Sequence, residues 1–245
     1  MADFNSAIPY IKKAEGGLSN ALTDTASRNP SPFVYTGQNW QGAKYLKPNL
    51  PVHTNKGITW ETFTSMAKVA GFEPNEKNFI EMPDDIWLKI YKVGYWLPMK
   101  AELYNSQAIA NLIVDWAWAS GVGGATRQLV KYVKSRGLNA DGVVTSKDAI
   151  NSLIAKEGEK KIFDELIEAR KNHFKALNQP ANLKGWLSRM DELKKQGDAI
   201  IVDTSRKAVN FAKGNAVPVA ITSVVLITTL FFLIYNRKKI INYFN

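Results

Sequence analysis

The chain has no cysteine among its 245 residues, which excludes disulfides and thiolate metal sites. Histidine is nearly as scarce: only His53 and His173 occur, and neither stands in a metal-binding or catalytic-triad motif. There is no zinc-finger spacing, no glycine-rich phosphate loop, no internal repeat and no convincing alternating strand pattern. The opening stretch "MADFNSAIPYIKK" lacks the basic start, apolar run and small-residue cleavage site of a signal peptide. Any hydrolytic chemistry must therefore rest on carboxylates, and no cofactor or metal is called for.

Apolar residues make up 45% of the sequence, enough for one or two globular domains with a substantial core. Lys plus Arg outnumber Asp plus Glu by 32 to 22, a formal charge of +10. Such a surface favours polyanionic partners, whether nucleic acid, anionic lipid or an acidic cell-wall polymer. Without a nucleic-acid motif, nucleic acid is not the expected partner.

Helical periodicity dominates from Thr59 onward. Thr59 is placed to cap a helix running to about Gly71. Pro83 suits the first turn of a helix ending near Gly94. Residues 105–120 are apolar nearly all round and read as a central helix stopped by "GVGG". Further helices fit 124–136, 146–155, 157–177 and 181–196, and 50–58 has room for a short hairpin. Residues 25–52 are rich in Pro, Gly, Ser and Asn, with Phe33, Tyr35, Trp40 and Tyr45 interleaved, and read as a long loop.

The stretch "AVPVAITSVVLITTLFFLIY", residues 216–235, carries no charge over a length that would span about 30 Å as a helix. It is followed by "NRKK", with Tyr235 at the boundary. This predicts a transmembrane helix and a single-pass, C-terminally anchored membrane protein touching the lipid bilayer through residues 216–235. Residues 1–215 would initially be cytoplasmic.

Two carboxyl groups flanking a glycosidic bond can cleave it, one as acid, the other activating water or stabilising charge. Glu15 follows the apolar face Ile8, Ile11 and Ala14, a setting that keeps a carboxyl protonated; Asp24 lies in the polar turn "ALTDTAS", where it stays ionised. Gly16 and Gly17, directly after Glu15, either end a helix or let a ligand lie against the backbone.

Together, "EGG" with Asp24, "TNKGIT" at 54–59 and "IYKVGYWLP" at 90–98 resemble glycoside hydrolase family 108, lysozyme-like N-acetylmuramidases often met as secretion activators or phage endolysins. Further on, "IVDWAWASG", "DGVVTSKDAINSL", "EARKNHF" and "KGWLSRMDEL" resemble the peptidoglycan-binding region that follows in that family. The resemblance covers roughly residues 5–195 in order. It implies Glu15 as general acid, with Asp24 and Thr54 as further catalytic residues. Asn55, Thr59, Asp115 and Trp118 are the candidate substrate-binding residues, and bacterial peptidoglycan is the partner.

The implied fold is mainly α, a lysozyme-like helical domain with a possible short β-hairpin, plus the C-terminal transmembrane helix. Its parts are a catalytic half at 1–98, a peptidoglycan-binding half at 99–196, a juxtamembrane stretch at 197–215, the span at 216–235 and a basic tail at 236–245. The implied activity is hydrolysis of the β-1,4 bond between N-acetylmuramic acid and N-acetylglucosamine; lytic transglycosylation stays open. An inert wall-binding or virion structural protein on the same scaffold is the alternative. Two departures from the family pattern stand out: 29 residues separate Asp24 from Thr54, and "TSKD" at 145–148 replaces the usual "GPxT", leaving Ser146 to cap the next helix.

Overall fold

The structure, a computed structural model, describes residues 1–12, 16–22 and 25–214. Glu15, Asp24 and the apolar stretch 216–235 lie outside the described residues.

Met1–Val202 make one compact unit. Helix α1, Phe4–Lys12, begins where the Asp3 carboxylate accepts from the Ser6 N–H at 2.8 Å. Two small antiparallel hairpins follow: β1 (Val34–Tyr35) with β2 (Leu50–Pro51), then β3 (Thr54–Asn55) with β4 (Ile58–Thr59). Helix α2, Trp60–Ala70, starts with Thr59 Oγ1 accepting from the Thr62 N–H and ends on Gly71 at φ 71°, the left-handed stop that glycine permits. Helix α3 is Glu76–Glu81, and α4, Asp84–Tyr91, opens on Pro83 and runs into a π-helical turn at Lys92–Trp96.

Helix α5, Gln107–Ser135, is the centre of the fold: Ile109, Ile113, Trp116, Ala125, Leu129 and Val133 are all buried. The stop expected at "GVGG" is a break instead, because Gly121 leaves the helical region at φ 71°, ψ 157° and the helix then resumes. Helix α6, Val143–Glu157, is capped not by Ser146, which is buried inside it, but by Thr145, whose Oγ1 accepts from the Asp141 and Gly142 N–H groups at 3.0 and 3.1 Å. Helix α7 is Glu159–Ala176, and α8 runs from Pro180 to Gly214, well past the expected end at 196. One apolar cluster, with Phe63, Phe79, Trp87, Trp96, Trp116 and Phe163 at its centre, runs through the unit.

The second unit, Asp203–Asn245, is described only to Gly214, as the end of α8 with a Lys207–Asp203 ion pair at 2.7 Å.

The transmembrane helix expected at 216–235 is not supported: among the described residues no helix is long and apolar enough to cross a membrane. The single-pass anchor, the contact with a lipid bilayer and the membrane localisation are likewise without support among the described residues. Helix α8 shows the physical reason for the described part, since Lys184, Arg189, Asp191, Lys194, Asp198, Asp203 and Lys207 spread charge along its length. Among the described residues the fold is mainly α with two small hairpins.

Candidate active site

The turn of the β3–β4 hairpin is Lys56–Gly57, both at positive φ (46° and 76°), the conformation whose twist matches paired strands. A lysine rarely adopts it, and three contacts hold it there. Lys56 Nζ donates to the Met82 carbonyl at 2.8 Å and to Asp84 Oδ1 at 3.0 Å, while the buried Trp87 indole donates to the Lys56 carbonyl at 2.9 Å. Beside the turn, buried Asn55 uses its Nδ2 to donate to the Phe79 and Ile80 carbonyls at 2.8 and 2.9 Å, satisfying the last turn of α3. The hairpin is thus pinned to α3 and α4 by its own side chains.

Thr54, on this hairpin, is buried and forms an antiparallel bridge with Ser19. The Ser19 N–H donates to the Thr54 carbonyl at 2.9 Å and the His53 N–H to the Ser19 carbonyl at 3.0 Å. The Lys56 N–H donates to Gly17 O at 3.3 Å, and His53 Nε2 lies 3.2 Å from Ala21 O. Asn20 ties the same segment to the far side of the long loop: its Nδ2 donates to Lys47 O at 2.8 Å, and its Oδ1 accepts from the Lys47 N–H at 3.0 Å. The stretch between Glu15 and Asp24, residues 17–21, is therefore strapped to the hairpin that carries Thr54. Gly16 and Gly17 are exposed, with open space where a side chain would stand.

The loop 25–52 is folded rather than open. Phe33 packs edge-on against Trp60, centroids 5.0 Å apart; Tyr35 and Trp40 form a half-buried pair at 5.6 Å; Tyr45 is 81% exposed.

The structure brings Thr54, Asn55 and Thr59 together on the hairpin, with Thr59 engaged as the cap of α2. Asp115 and Trp118 stand on α5. Trp118 joins a four-ring cluster, 4.9 Å from both Tyr91 and Tyr95 and 6.0 Å from Trp87, and through Trp87 it reaches Lys56 of the hairpin. Asp115 is buried between two arginines: Arg170 Nη1 lies 2.6 Å from Oδ2, and Arg189 Nε donates to Oδ1 at 3.0 Å. Burial alone would raise its pKa, but Arg170 and Arg189 outweigh it and hold the carboxyl below its ordinary value. Beside it, Tyr10, Ile11, Tyr91 and Asn111 border a cavity of about 20 Å³, room for about one water. Neither arginine carries a local motif that would have announced this pairing, since the three residues come from α5, α7 and α8.

A mainly helical domain with two small hairpins fits a lysozyme-like fold. Residues 8–121 match the model of a family described as Glycosyl hydrolase 108. The chain is also similar to a solved structure from Brucella abortus, the protein SagA: the identity is 22%, the alignment covers 80% of this chain and 94% of that one, and the TM-score is 0.57. At that identity the likeness speaks for the fold alone. No curated protein matches. The family match covers under half of the chain and supports a glycosyl-hydrolase-like scaffold over that stretch. It ends at residue 121, so most of the expected peptidoglycan-binding region, 122–196, lies outside it. Neither likeness supports a phage or endolysin origin.

Proposed function

We propose that the chain is a peptidoglycan hydrolase that cleaves the β-1,4 bond between N-acetylmuramic acid and N-acetylglucosamine. Glu15 is the general acid; Asp24 and Thr54 position and activate the water. The observation that carries this reading is the Ser19–Thr54 bridge within the family-matched stretch, because it supports Thr54 working beside the Glu15 segment despite the long loop between them. A glutamate in apolar surroundings stays protonated to donate to the leaving oxygen, while an aspartate in a polar turn stays ionised. The rest of the scaffold would hold those groups: the pinned Lys56–Gly57 turn, the Asn55 clamp and the Asp115 ion pairs leave little freedom around the site.

Digestion of purified peptidoglycan followed by mass spectrometry of the released muropeptides tests this. Products with reducing N-acetylmuramic acid ends support it. Anhydro ends would assign a lytic transglycosylase, and no products at all would leave an inert scaffold.

A further inference from the structure

Trp40 lies on the loop that separates this chain from the family spacing, and the proposed chemistry leaves it unused. Its ring forms one wall of an open cavity of about 440 Å³, whose other walls come from α3: Asn75, Glu76, Lys77, Ile80 and Glu81. The ring is held in place before any ligand arrives. Tyr35 packs against it at 5.6 Å, and Tyr35 is itself fixed by the β1–β2 pairing and by the Asn49 N–H donating to its carbonyl at 2.7 Å. A rigid aromatic face loses little conformational entropy on binding.

The polar groups around the ring are those that recognise hydroxyls and amides. Asn75 uses its Oδ1 to cap α3, accepting from the Asn78 N–H at 2.9 Å, which leaves its amide N–H groups for a ligand. Glu76, Glu81 and Lys77 are exposed at the rim. Two carboxylates against one ammonium make the rim net negative, which disfavours an acidic ligand. An aromatic wall, a few convergent polar groups and an apolar floor at buried Ile80 describe a site for a neutral saccharide.

The walls of the cavity are tied to the hairpin that carries Thr54 and to the segment after Glu15. The Ile80 carbonyl accepts from Asn55 of the hairpin at 2.9 Å. Gly42, two residues beyond Trp40, comes so near the Glu15 segment that a Cβ there would stand 3.8 Å from the Leu18 nitrogen. We infer that Trp40 and α3 form an accessory saccharide subsite, taking a neutral N-acetylated sugar of a β-1,4-linked glycan in preference to its acidic, lactyl-bearing neighbour. In naming a wall glycan it rests on the hydrolase reading; the binding itself does not require cleavage.

The test uses the full chain carrying Glu15→Gln, titrated with the neutral β-1,4-linked tetramer of N-acetylglucosamine. Affinity is followed by calorimetry, and the tryptophan indole N–H signals by NMR. The Trp40 indole signal should shift on binding. Trp40→Ala should weaken affinity about tenfold, within the range that aromatic stacking commonly supplies, and Trp40→Phe should restore most of it, which separates stacking from misfolding. A tetramer that binds while the Trp40 indole stays still overturns the inference, as does equal affinity in Trp40→Ala or absence of binding altogether. Cleavage of peptidoglycan by the unmodified chain, measured beside it, reports separately on the hydrolase reading.

Discussion

Ser19 and Thr54 face each other across an antiparallel bridge, the Ser19 N–H donating to the Thr54 carbonyl at 2.9 Å, with residues 25–52 looped out between them. The long separation of Asp24 from Thr54 therefore does not carry Thr54 away from the Glu15 segment. Closing a longer loop costs little, about 0.6 kcal/mol per doubling of length. The loop's own pairing and its Phe33 anchor offset part of that.

Asn55→Ala should destabilise the chain by about 2–4 kcal/mol, because the Phe79 and Ile80 carbonyls at the end of α3 would lose their donor in a buried setting. Urea unfolding measures the loss. Activity should fall as well, since the hairpin bearing Thr54 would be released from α3.

Asp115→Asn should cost about 3–5 kcal/mol by leaving the fully buried Arg170 without its carboxylate. The folded-state pKa of Asp115 lies below its ordinary value, so its stabilisation is complete above the unfolded value near 4 and is lost as pH falls through the lower folded value. The variant should accordingly show a flatter loss of stability between about pH 4 and strong acid than the unaltered chain. Thermal melts over that range would read it; identical acid limbs would contradict the assignment.

Two glycines of α8 should respond to alanine with opposite signs. Gly185 has open space around it, so Gly185→Ala should stabilise by about 0.5–1 kcal/mol through helix propensity. At Gly197 an added Cβ would run into the Phe163 ring, which is buried. Overpacking there, about 1–3 kcal/mol, should exceed the propensity gain and leave Gly197→Ala destabilised. Melting temperatures of the two variants decide it.

Much of the helical frame was legible in local sequence, for physical reasons that operate within a turn or two. Thr59 and Gly71 bound α2 because a hydroxyl cap and a left-handed glycine need only their neighbours. Pro83 marks the start of α4 on the same grounds. What escaped were relationships between distant segments. Nothing near Asp115 signals Arg170 and Arg189, nothing near Asn55 signals the carbonyls of α3, and the folding of 25–52 depends on Phe33 meeting Trp60 and Phe79. Glycine misled at Gly121, where it breaks a helix that packing then continues, and the length of α8 was hidden because its charged face carries no stop signal at 196. Hydropathy alone led to a membrane span that no described helix supports. Of the candidate site, Thr54, Asn55 and Thr59 were grouped by one short motif, "TNKGIT", and they stand together on one hairpin.

The most direct measurement is the rate at which Glu15→Gln releases muropeptides from purified peptidoglycan, beside the unaltered chain. Glutamine preserves the size of the side chain and removes the proton, and a positioned general acid commonly contributes about 10²–10⁴ in rate. A fall of that size with an unchanged melting temperature is the predicted result. Release at the unaltered rate would contradict the account, because Glu15 would then not be the acid.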